Sequence, residues 1–102
     1  MGNRVNKDLL TKAVAEISSK TDINFVAIKP NPNELAYGAN LGDNMRIIIM
    51  IHFDLNESSY YALVQSLNNM FQKEYKTTIK KDFVKHVSNF LNAEGKYEFP
   101  SK

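Results

Sequence analysis

The run "RIIIMIHF", residues 46–53, is the most apolar stretch of the chain, and it limits what the remainder can build around it. It is far shorter than the roughly 20 residues a membrane-crossing helix needs. Three consecutive β-branched isoleucines favour a strand over a helix. Read as a strand, residues 45–54 split by alternation. Met45, Ile47, Ile49, Ile51 and Phe53 fall on one face, and Arg46, Ile48, Met50, His52 and Asp54 on the other. The first face is wholly apolar and requires a covering layer. The second is apolar only in its middle, the pattern of a central strand whose second face is partly covered.

The flanking segments supply candidates for that layer. Within residues 6–20, Leu9, Leu10, Ala13, Val14 and Ile17 form one stripe of helical period. Residues 25–28 are rich in β-formers, and "KPNPNE" (29–34) is turn chemistry, its two prolines unable to donate to a ladder. Leu35, Tyr37, Ala39 and Leu41 then alternate with smaller or polar residues, which predicts a hairpin; "GDN" (42–44) makes a second turn into the isoleucine run. Downstream, Tyr60, Leu63, Val64, Leu67, Met70 and Phe71 recur at helical spacing and predict a second helix over residues 57–74. Thr77 or Thr78 is the expected cap of a third helix over 79–94, with the stripe Ile79, Phe83, Val87, Phe90 and Leu91, and Gly95 is a natural left-handed stop. The expected fold is therefore α+β, in the order α-β-β-β-α-α: a three-stranded antiparallel meander with helices packed on one face. At 102 residues, the span 1–102 is expected to be a single domain.

That layout carries a functional expectation. Helices on one face leave Val26, Ile28, Ile48 and Met50 on the other with nothing obvious to cover them. An uncovered apolar face of a few hundred Å² marks an interaction surface. Tyr60 and Tyr61 add aromatic anchors of the type that dominate interfaces. The first reading is a small non-catalytic binding module (a regulator, inhibitor, immunity-type or accessory protein) whose partner is another protein or a second copy of itself.

Charge supports an alternative. Residues 30–70 carry a net charge of −3, whereas residues 71–86 carry +3 from Lys73, Lys76, Lys80, Lys81 and Lys85, with His86 beside them. Those cations, on a C-terminal helix and leading into it, could meet phosphates of a nucleic acid. Only two arginines are present, Arg4 and Arg46, which weighs against base-specific reading.

Catalysis finds little support. The absence of cysteine removes disulfides, thiolate metal sites and thiol nucleophiles together. His52 and Asp54 share a strand face, but no nucleophile accompanies them. The two histidines show no metal-ligand spacing, and the glycines at 38 and 42 make no phosphate loop. No cofactor, metal or small-molecule substrate is expected. The first residues, "MGNRVNKDLL", lack the apolar core of a signal peptide, and a cytoplasmic location without membrane association is the expectation.

Overall fold

The isoleucine run lies at the centre of a five-stranded sheet in a computed structural model of the chain. The structure describes residues 2–28, 35–42, 44–54, 57–68, 72–93 and 99, the side chains of 2–7, 53, 54 and 57 apart. The elements are α1 (Gly2–Thr21), β1 (Val26–Ile28), β2 (Ala36–Leu41), β3 (Met45–Asp54), β4 (Glu57–Ser66), β5 (Gln72–Thr77) and α2 (Lys80–Asn92). Each strand pairs antiparallel with its neighbour in sequence, in the order β1-β2-β3-β4-β5.

The order is thus α-β-β-β-β-β-α, and the three-stranded expectation is overturned. The helix expected over 57–74 is not formed: residues 57–66 supply β4 and residues 72–74 the start of β5. The physical reason lies in two competing periods. Tyr60, Ala62 and Val64 point into the core at period two, and β4 pairs with β3 along its full ten residues, from Asp54↔Glu57 to Met45↔Ser66. A ladder of that length on a buried strand outweighs a helical stripe whose members need packing to be worth anything. The backbone N–H of Leu67 donates to Asn44 O at 2.6 Å and closes the end of that ladder.

The core forms between one face of the sheet and both helices. Ile47, Ile49, Ala62, Val64 and Tyr60 meet Leu10, Ala13, Val14 and Ile17 of α1 and Phe83, Val84, Val87, Phe90 and Leu91 of α2. Leu10, Ala13, Val14 and Ile17 of the stripe expected on α1 and the inward set expected on β2 (Leu35, Tyr37, Ala39, Leu41) pack here, whereas Leu9, placed in the same stripe, is 39% exposed. Aromatic stacking fills the α2 side. Phe83 stacks on Tyr60 at 5.2 Å and on Tyr75 at 6.2 Å, and Phe99 stacks on Phe90 at 4.7 Å.

The helix ends differ from expectation. Neither Thr77 nor Thr78 caps α2; the cap position is Ile79, in extended backbone and with no side-chain cap. Thr77 Oγ1 instead accepts from the Ile79 N–H at 3.2 Å. α1 is followed by Asp22, whose φ of 60° is left-handed and whose N–H donates to Ser18 O at 2.9 Å. The turn at 29–34 and the stop Gly95 lie outside the described residues. No helix is long and apolar enough to cross a membrane among the described residues.

Candidate functional site

The second face of the sheet has no described element over it. Register arranges its residues in transverse rows. One row runs Val26, Gly38, Ile48, Leu63, Glu74 from edge to edge; the next runs Ile28, Ala36, Met50, Tyr61, Lys76. Two rows are about 7 Å apart, and five strands span about 19 Å, so the apolar part of this face covers on the order of a few hundred Å². Val26 is 66% exposed and Ile28 41%, while Ile48, Met50, Tyr61 and Leu63 are half-buried.

Small residues shape this face. A Cβ at Gly38 would come within 2.6 Å of Ile28 Cδ1, so the Ile28 side chain lies on the space that the glycine leaves. Ala36, paired with Ile28 on one side and Met50 on the other, is buried and stands apart from the helix-side core. The result is a shallow shelf at the β1–β2 side, rising to larger side chains on β3 and β4.

The polar margin is ordered. Tyr61 donates from its hydroxyl to Glu74 Oε1 at 3.3 Å, and its ring tilts against His52 at 5.8 Å. Partial burial, with the adjacent Glu74 carboxylate, pushes the Tyr61 phenol above its ordinary range. Gln65 Nε2 donates to Gln72 Oε1 at 3.5 Å, beside Arg46 on the next strand.

The structure therefore brings together Val26, Ile28, Ile48, Met50 and Tyr61. It separates Tyr60, which is buried on the opposite face against Phe83 and is no docking anchor. Alternation along a strand explains the split, since neighbours must point opposite ways. Leu63 belongs to the face and was missed, because the helical reading put it in a buried stripe with Val64.

The basic residues do not share one surface. Lys73 and Lys76 lie on β5 rather than on a helix, and their odd and even positions put them on opposite faces. Lys73 sits over the Phe90 ring at 5.8 Å, on the helix side. Lys80 is paired with Glu16 of α1, which holds its ammonium above the ordinary lysine range. His86 meets Tyr75 edge-on at 5.5 Å. Lys81 and Lys85 project from α2 into solvent. Of the pair once weighed for catalysis, His52 is exposed, and the Asp54 side chain lies outside the described residues.

No protein-family model, curated protein or solved structure matches this chain.

Proposed function

We propose that the chain is a non-catalytic binding module that docks on another protein through the open face of its sheet. The observation that carries this reading is the one-sided layering: both helices pack on the same face, and two apolar rows stand on the other. The partner's chemistry follows from the face. It presents a flat apolar surface, a sheet face or the stripe of an amphipathic helix, to Ile28, Ile48, Met50 and Leu63. Carboxylates at its margin answer Arg46 and Lys76, since the Glu74 carboxylate already accepts from Tyr61. A nucleic-acid role through all six basic residues fits less well, because they are dispersed over both faces of β5 and over α2.

The test uses two variants that leave the core untouched, Val26→Asp and Leu63→Asp. Tagged wild-type and variant chains are compared in pull-downs from native cells, with sedimentation of the purified chain alongside. The expected result is a specific protein, or a second copy of the chain, retained by wild type and lost by both variants while circular dichroism stays unchanged. Partners retained equally by both variants would sink the reading.

A further inference from the structure

We propose that the groove between α1 and α2, on the opposite side of the molecule from the docking face, is a binding site for a small phosphate-bearing molecule. The groove is partly open to solvent and has a volume of about 510 Å³, a size that suits a nucleotide or sugar phosphate rather than a bare ion. On α2, Lys81, Lys85, Ser88 and Asn92 recur at helical spacing (i, i+4, i+7, i+11), so all four line it from one helix face. From α1, Lys20 and Glu16 close the other wall.

Charge in the groove is unbalanced. Glu16 is the sole carboxylate among its lining residues, and it is taken by Lys80. Lys20, Lys81 and Lys85 also line the groove and have no carboxylate partner among the described residues. Asn92 Nδ2 donates to the Lys20 carbonyl at 3.3 Å and fixes the far end of the groove.

A second, independent feature points the same way. Ser88 is only 4% exposed, and its Oγ is buried with no hydrogen-bond partner. Buried hydroxyls without a partner are uncommon and costly. A helical serine ordinarily satisfies itself on the carbonyl one turn earlier, and this one does not. An unpaired hydroxyl on a residue that also lines this lysine-rich groove matches a ligand whose charge sits on several acceptor oxygens. A phosphate offers those oxygens in all directions and accepts lysine as a point charge, whereas a planar carboxylate favours the bidentate fork of arginine, which the groove lacks.

The experiment is a titration of ¹⁵N-labelled protein with sodium pyrophosphate, with adenosine triphosphate, and with a single-stranded DNA 12-mer. Saturable shifts confined to Lys20, Lys81, Lys85, Ser88 and Asn92 are expected with the first two. The double variant Lys81→Glu/Lys85→Glu, both at exposed positions, is expected to abolish them with the amide spectrum otherwise retained. Ser88→Ala is expected to weaken binding about tenfold, as loss of a hydrogen bond to a charged group does, while raising the melting temperature because an unsatisfied hydroxyl is gone. The proposal is overturned if pyrophosphate and adenosine triphosphate give no saturable shift, if the double variant responds like wild type, or if Ser88→Ala keeps full affinity. It is equally overturned if only the oligonucleotide binds and its shifts extend to Lys73 and Lys76, since that pattern belongs to a nucleic-acid surface.

Discussion

Leu63 and Val64 are adjacent, similar in size and opposite in consequence. Val64 is fully buried under the helices, and Leu63 is half-buried on the open face. Val64→Asp places an unpaired carboxylate in the core and is expected to cost more than about 3 kcal/mol, enough to unfold a domain of ordinary stability. Leu63→Asp is expected to cost under about 1.5 kcal/mol, the range of substitutions that open no cavity and bury no charge. Urea denaturation of the two variants checks this. Similar large losses would mean that both residues lie in one buried helical stripe and that β4 is misassigned. Tyr60 and Tyr61 repeat the contrast, one stacked on Phe83 and the other bonded to Glu74 at the surface. The helical reading put Leu63 and Val64 in one stripe; only the assignment of β4 as a strand separates them.

At the scale of elements, the sequence was most legible where a single period dominated. The α1 stripe, the alternation of β2 and the two faces of β3 all follow from spacing, and the four aliphatic residues assigned to the open face do lie on it together. The hairpin β4–β5 was illegible for a physical reason. Its inward set, Tyr60, Ala62 and Val64, is flanked by Ser58 and Ser66, while its outward set includes Tyr61 and Leu63, so hydrophobicity barely alternates. Long-range pairing with β3, which no local window contains, decides the outcome. The start of α2 shows a smaller version of the same limit. Threonine was expected to cap it, but the cap position falls at Ile79, which is 53% exposed and contributes no side-chain acceptor. Ile79→Asp supplies that acceptor at the positive end of the helix, beside Lys80 and Lys81, and is expected to stabilise the fold by about 1 kcal/mol. A rise in urea midpoint with unchanged slope would bear this out; a fall would mean that Ile79 packs against something that matters.

For the molecule as a whole, the perturbed protons all shift in one direction. Tyr60, raised by burial, Tyr61, raised by burial and Glu74, and Lys80, raised by Glu16, each hold a proton more firmly in the folded chain than in the unfolded one. The unfolded chain then binds fewer protons at alkaline pH, so stability present below pH 10 is lost as pH climbs through the folded-state values. Lys80 contributes little, because its pair with Glu16 is solvent-accessible. The expected observation is a urea midpoint that drops above about pH 10, with a shallower drop in Tyr60→Phe. Indifference of the midpoint to pH in that range would contradict the burial of Tyr60.

The meander is assembled from neighbours, yet its core is closed by the two elements furthest apart in the chain, α1 and α2. A ribosome delivers α1 and all five strands before α2 appears. Until those last turns emerge, the nascent sheet is greasy on both sides, with Ile47, Ile49 and Val64 only half sheltered. Synthesis of this protein thus passes through an interval of stickiness that ends only with arrival of Phe83 and Phe90, and a chain halted just before residue 80 is a candidate for chaperone capture or precipitation rather than for a smaller working version of the fold.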